Sequence, residues 1–119
     1  LMVAVGGAIG AGGRYLLGGW LQAQLGPGFP WGTFVINVLG SLAIGLVLGI
    51  SGRGGLSPGA SLFLATGVLG GFTTFSAFSY ETLQLLSRGA VGVSLLNGFG
   101  QIFAGAAAAY VGFLGSRLG

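Results

Sequence analysis

Apolar residues run through this chain in four long stretches that are separated by short interruptions. The interruptions are rich in glycine, proline, serine or arginine and lie at residues 26–30, 51–55 and 87–89. Such residues favour turns over helix. They leave apolar spans at residues 2–25, 31–51, 57–87 and 90–115. Because a helix needs about 20 apolar residues to cross a bilayer core, the pattern predicts an all-α membrane protein with four transmembrane helices in one domain, residues 1–119.

The third span differs from the others in its length and in its middle. It has 31 residues, which as one unbroken helix would measure about 46 Å against a bilayer core of about 30 Å. Residues 70–78, GGFTTFSAF, place two adjacent glycines before a run of hydroxyl and aromatic residues. At bilayer depth a non-helical backbone is tolerated only where its polar groups face a cavity, protein or an ion. We therefore expect the third helix to be broken at this motif, beside an ion site.

Polar residues inside the spans recur at helical spacing. The three stripes comprise Thr33, Asn37 and Ser41 in the second span; Phe75, Phe78, Ser79 and Thr82, with Glu81 at the edge, after the motif; and Asn97 and Gln101 in the last span. Each stripe lies on one helix face. A phenyl ring has a positive edge, so aromatic edges beside uncharged donors suit an anion better than a cation. The alternative is that these residues only link helices, at about 1 kcal/mol or less each.

Composition and charge exclude most other functions. The chain is 53% hydrophobic and 4% charged, whereas a soluble domain has about 25% charged residues. It contains no cysteine, no histidine and a single carboxylate side chain, so acid–base, nucleophilic and zinc–cysteine sites are not expected. Four arginines are too few for a nucleic-acid footprint. We expect neither an enzyme nor a signal peptide, since no basic segment precedes the first apolar span.

The arginines give only a weak preference for one orientation in the membrane. With four spans, Arg53 and Arg117 lie on one side and Arg88 on the other, while Arg14 falls inside the first span. A chain with so little bias could insert both ways and pair as an antiparallel dimer, although a single topology with a weak signal is equally compatible. Small-xxx-small pairs such as Gly6 with Gly10 indicate close helix packing, which favours a partner copy.

The motif of the third span resembles the signature of the Fluc (CrcB) fluoride channel family. The run GGFTTFSAF is preceded by Gly67 and followed by SYET at residues 79–82. GGRY at residues 12–15 and GTFVINVLG at residues 32–40 agree with the same family, so that the resemblance extends over all four spans. The chain departs from the family at Ala77, where threonine or serine is more frequent, and at Asn97 with Gln101.

The resemblance implies an antiparallel homodimer with two fluoride pathways at its interface. It also implies a structural sodium ion on the two-fold axis, held by the backbone carbonyls of Gly70 and Thr73. Such a channel is passive and exports fluoride from the cytoplasm across the inner (plasma) membrane of a prokaryote.

The resemblance further implies roles for individual side chains. The edges of the Phe75 and Phe78 rings would line the fluoride path, and Asn37 would donate its amide hydrogens to the anion. Polar side chains would continue the path at Thr33, Ser41, Ser79, Thr82, Asn97 and Gln101. Arg14 and Glu81 would lie nearer the entrances.

Two functions from other classes are the alternatives to a fluoride channel. A small dual-topology multidrug transporter has this size, but it needs a carboxylate in its first span, and residues 1–25 contain none. A non-conducting membrane assembly subunit would explain the glycines, but not a double-glycine interruption flanked by threonines.

Overall fold

The structure is a computed structural model that describes residues 1–118, and within that range it contains helices and turns but no strand. The elements are α1 (Met2–Leu25), α2 (Trp31–Gly52), α3 (Pro58–Ser61), a π-helix (Leu62–Leu69), α4 (Gly70–Phe72), α5 (Phe75–Ser87) and α6 (Val91–Ser116). We call residues 58–87, from α3 to α5, the third segment. The four predicted spans agree with the helical boundaries to within one residue.

The distribution of apolar residues is that of a multi-pass membrane protein. Three helical segments are long and apolar enough to cross a bilayer, namely Trp31–Gly52, Pro58–Ser87 and Val91–Ser116. The helix α1 is not among them; it contains Arg14, two glutamines and seven glycines. Ile36 and Ala65 are the buried apolar side chains of the described chain, whereas many leucines and phenylalanines lie on the outside. An apolar exterior around a glycine-rich interior suits lipid rather than water.

A seam of glycines joins α1 to the third segment. Gly6 and Gly10 are buried, and a Cβ at Gly6 would lie 2.8 Å from the carbonyl oxygen of Phe63. A Cβ at Gly10 would collide with the carbonyl of Val68. Because the later glycine meets the later residue, the two segments run in the same direction, and their backbones touch.

A second seam joins α2 to α6 in the same way. Gly45 faces the backbone of Ala109, and Gly49 faces Ser116. On the other side of the contact, a Cβ at Gly112 would collide with the carbonyl of Leu42. These helices are also parallel, so that the fold consists of two parallel helix pairs. The helices of each pair approach closely because glycines, which have no side chain, lie at the contact.

The turn between α1 and α2 is held by one side chain. Gln22 donates from Nε2 to the carbonyl oxygens of Gly26, at 2.6 Å, and of Phe29, at 2.9 Å. Its Oε1 accepts the backbone N–H of Gly32 at 3.1 Å. The turn begins at Gly26, whose φ of +93° lies in a region that residues with a side chain rarely adopt.

The third segment is interrupted at Thr73 and Thr74. Both residues have extended backbones, with φ/ψ of −85°/157° and −149°/119°. The hydroxyl of Thr74 accepts the backbone N–H of Ala77 at 3.2 Å and so caps the start of α5. On the other side, the carbonyl of Leu69 accepts both the N–H and the hydroxyl of Thr73, at 3.1 and 3.0 Å. The interruption is therefore a defined local structure with its own hydrogen bonds.

Candidate functional site

A cavity of about 310 Å³ lies against the interruption of the third segment. It brings together residues from α2, the third segment and α6 that are far apart in sequence. Of the residues singled out from sequence, those lining it are Asn37, Ser41, Gly70, Thr73, Phe75, Phe78 and Gln101. Members of all three sequence stripes therefore lie beside one cavity, and their role in an ion path stays a prediction.

Two aromatic rings form one wall of this cavity. The centroids of Phe75 and Phe78 are 5.6 Å apart, and the ring planes are inclined at 48°. Phe75 is 78% exposed in the single chain, although it follows directly on the interruption. The edge of a phenyl ring carries partial positive charge, and both rings belong to the lining of this cavity.

The side chain of Asn37 binds both backbone groups of Thr74. Its Oδ1 accepts the Thr74 N–H at 2.9 Å, and its Nδ2 donates to the Thr74 carbonyl at 3.1 Å. Nδ2 also donates to Oε1 of Gln101. An asparagine side chain has two amide hydrogens, and both therefore have protein acceptors in this structure.

The hydrogen bonds continue along α6. Gln101 donates to Oδ1 of Asn97 at 3.0 Å, and Asn97 donates to the hydroxyl of Thr82 at 2.9 Å. That hydroxyl donates to the carbonyl of Phe78 at 2.7 Å. Asn97 is 0% exposed and Gln101 is 6% exposed, so these amides lie in the interior of the helix bundle.

Two backbone carbonyls at the interruption have the chemistry that suits a monovalent cation. In an uninterrupted helix the Gly70 carbonyl would accept the Thr74 N–H, but that N–H donates to Asn37 instead. Likewise the Thr73 carbonyl would accept the Ala77 N–H, which donates to the Thr74 hydroxyl. Among the described residues neither carbonyl receives a hydrogen bond from those amides, and both residues line the cavity. This carbonyl chemistry is compatible with a cation, and the sodium-binding role of Gly70 and Thr73 stays a prediction.

A second cavity, of about 260 Å³, lies on the other face of the interruption. Arg14, Thr33 and Glu81 line it, together with Thr74. The Nε of Arg14 donates to the Gly71 carbonyl at 3.2 Å, which attaches α1 to the end of α4. The Oε1 atom of Glu81 is buried and has no hydrogen-bond partner among the described residues.

Three predicted site residues line neither of these two cavities. Ser79 is exposed and lines neither cavity, whereas Thr82 and Asn97 take part through the hydrogen bonds behind Gln101. Thr74 was not singled out from sequence, although it lines both cavities. Ser94 was also missed; its hydroxyl donates to the Thr82 carbonyl at 2.9 Å. The spacing of Ser94 three residues before Asn97 was the available signal.

A family model and several individual proteins match this chain. The family model described as CrcB-like protein, Camphor Resistance (CrcB), matches residues 1–113. A protein of Thermus thermophilus, named a fluoride-specific ion channel, is 59% identical over 119 residues, which are 100% of this chain and 91% of the relative. A protein of Agrobacterium fabrum with the same name is 46% identical, with 98% of this chain and 95% of the relative covered. A further one, from Roseiflexus, is 48% identical over 109 residues and covers 88% of each chain.

Proposed function

This chain belongs to the CrcB family, and we propose that it is a passive channel that carries fluoride selectively across a membrane. The single observation that carries the proposal is the cavity in which the two phenyl rings face the amide chain of Asn37 and Gln101. The relatives that are named fluoride channels match this chain over nearly its whole length. The side chains that we propose to contact the anion, on α2, α5 and α6, lie beside the same cavity.

The proposed mechanism replaces the water around the anion with fixed protein groups. The edges of Phe75 and Phe78 supply partial positive charge, and the hydroxyl and amide groups on α2, α5 and α6 supply hydrogen-bond donors. Arg14 adds positive charge at the second cavity, next to Thr33 and Glu81. None of these groups needs a proton or chemical energy, so transport follows the electrochemical gradient. On this proposal fluoride leaves the cytoplasm across the inner membrane of a prokaryotic cell.

We further propose that the pathways form between two copies of the chain in opposite orientations. In the single chain, Phe75 is largely uncovered and the first cavity is open along one side. A second copy placed there would close the cavity and create a matching one by symmetry. The interruption at Thr73 and Thr74 would then lie as a break within the membrane, at the centre of the assembly.

The carbonyls of Gly70 and Thr73 would hold a sodium ion at that centre. A bound cation would compensate the partial negative charge of carbonyls that have lost their helical amides. The ion has a structural role in this proposal, and fluoride does not travel with it.

The deciding experiment measures ion efflux from liposomes that contain the purified protein. We expect fluoride to leave rapidly and chloride to be retained, with fluoride efflux reduced when sodium is replaced by a large organic cation. Chloride efflux at a comparable rate would contradict the selectivity. A sodium current through the protein would contradict the structural role of the cation.

The two alternative functions predict other results in the same liposomes. A multidrug transporter would exchange protons for an organic cation, and a non-conducting assembly subunit would release neither anion. The relatives' names do not favour either alternative.

A further inference from the structure

Two of the four arginines lie at the same end of the molecule. Because α2 and α6 are parallel, their last turns meet there, where Gly49 faces Ser116. Arg53 follows Gly49 by one helical turn, and Arg117 follows Ser116 directly. At 1.5 Å per residue, the two arginine α-carbons lie within about 5 Å of the same level along the helix pair. Both side chains are exposed.

One aromatic ring, that of Phe113, links the positions of these two arginines. The guanidinium carbon of Arg117 lies 5.3 Å from the centroid of this ring, in a cation–π contact. The Cδ1 atom of the same ring would lie 3.4 Å from a Cβ at Gly49. Arg53, four residues after Gly49, lies on the same face of α2. Both arginines are therefore placed on the side of the helix pair that carries this ring.

No carboxylate side chain balances the two charges at this end of the molecule. The only carboxylate side chain of the sequence belongs to Glu81. It lines a cavity beside the turn between α1 and α2, at the opposite end of α2. Its Oε1 atom is buried within its own chain. The two arginines therefore form a basic surface without an acidic side chain beside it.

The simpler interpretation is that each arginine only interacts with the carbonyl end of its own helix. Arg53 and Arg117 are the C-cap residues of α2 and α6, and a cation is favoured at that position. This effect acts on each arginine separately and does not depend on the lipid around the protein. Arg88 is the C-cap residue of α5, and no other arginine lines the cavity beside it. It therefore provides a matched control.

We propose that Arg53 and Arg117 together bind the phosphate group of an anionic phospholipid. A guanidinium group presents parallel N–H donors that match the oxygens of a phosphate, and basic pockets between transmembrane helices suit acidic headgroups. Beside the arginines, Phe113 and Leu114 are 40% and 41% exposed and offer an apolar surface to the acyl chains. This apolar surface favours a lipid over a soluble phosphate. The inference does not depend on which ion the protein carries.

Native mass spectrometry of the purified protein tests the site by counting the lipids that stay bound. Phosphatidylglycerol and phosphatidylcholine with identical acyl chains are titrated into the detergent solution. We expect the wild type to retain phosphatidylglycerol in preference. Arg53→Gln and Arg117→Gln should each bind it about fivefold more weakly, which is the contribution of one basic residue at an anionic surface. Arg88→Gln removes the same charge from a C-cap and should bind it as the wild type does. An equal loss in all three variants would overturn the shared site.

Two results on the wild-type protein do not depend on whether the variants fold. Equal retention of phosphatidylglycerol and phosphatidylcholine would overturn the site itself. Inorganic phosphate is then added to the protein that holds phosphatidylglycerol, and we expect the lipid to stay bound. Release of the lipid by inorganic phosphate would show that the arginines bind phosphate from solution, and would overturn the assignment to a phospholipid.

Discussion

Phe75 is a large apolar side chain that the single chain leaves mostly uncovered. In a lipid-facing helix this exposure alone would be ordinary. The position of Phe75 is unusual, because the residue directly follows the cap of α5. The centroid of its ring lies 5.6 Å from that of Phe78. The ring belongs to the wall of the first cavity, and the ring edge is the part that can favour an anion.

Replacing Phe75 with isoleucine tests the contribution of the aromatic ring edge independently of the apolar volume of the side chain. We expect Phe75→Ile to lower fluoride efflux from liposomes by orders of magnitude while the protein still purifies as the same assembly, because the positive edge is lost and the volume is largely kept. The control is Phe63→Ile in the π-helix, which does not line the cavity and should conduct nearly as the wild type does. Normal efflux through Phe75→Ile, or failure only through loss of assembly, would make the ring a packing element.

Residue spacing indicated which polar side chains share a face, but not which backbone groups they bind. The recurrence of Asn37 and Gln101 on their helices predicted their presence near the motif. The binding of Asn37 to Thr74 could not be predicted, because the extended backbone at Thr73 and Thr74 creates those unpaired groups. Ser79 illustrates the converse: it shares a helix face with Phe75 in sequence, yet it lies exposed beyond the cavity.

At the scale of elements, two glycine seams determine how closely the helices approach. In each seam a backbone carbonyl occupies the space that the Cβ of any residue larger than glycine would need. Examples are the Val68 carbonyl at Gly10 and the Leu42 carbonyl at Gly112. Because the contact is between backbones, the neighbour cannot move aside by changing a rotamer. The seams therefore control the position of the third segment relative to α1, and with it the site.

Gly10→Ala should destabilise the protein by about 1–3 kcal/mol, since the added methyl group overpacks a backbone contact. The control is Gly12→Ala in the same helix, where nothing lies within 4 Å of the added Cβ; it should be neutral or slightly stabilising, as alanine is the better helix former. Thermal unfolding of the two purified variants in the same detergent measures the difference. Equal stability of both variants would show that α1 can shift away from the third segment at no cost.

Element boundaries were predictable from sequence, whereas helix pairing was not. Gly26, Pro27 and Pro30 end α1 and begin α2 by their own backbone preferences, so the boundary is local information. Glycines occur on several helix faces, and sequence alone did not identify α2 with α6, and α1 with the third segment, as the parallel pairs. The π-helix at Leu62–Leu69 also escaped prediction, because its residues are apolar apart from Thr66 and show no clear periodicity.

At the scale of the whole molecule, the open side of the first cavity and the weak arginine bias lead to a prediction about topology. The chain has no cysteine, so single cysteines can be introduced at Gly52 and at Gly28, at opposite ends of α2 and both without close neighbours. In intact spheroplasts, an impermeant maleimide should label about half of the molecules at either position, because the near-balanced charges let both orientations insert. Full labelling at one position and none at the other would indicate a single topology and exclude the antiparallel dimer.

The turn between α1 and α2 has a consequence for how the chain is made. Gln22 satisfies two carbonyls and one N–H of that turn using only residues from the first third of the sequence. The turn of this helical hairpin therefore has its own hydrogen bonds before the third segment has been synthesised. Biogenesis can therefore proceed hairpin first, with the third segment and α6 added to a preformed template rather than to a single isolated helix.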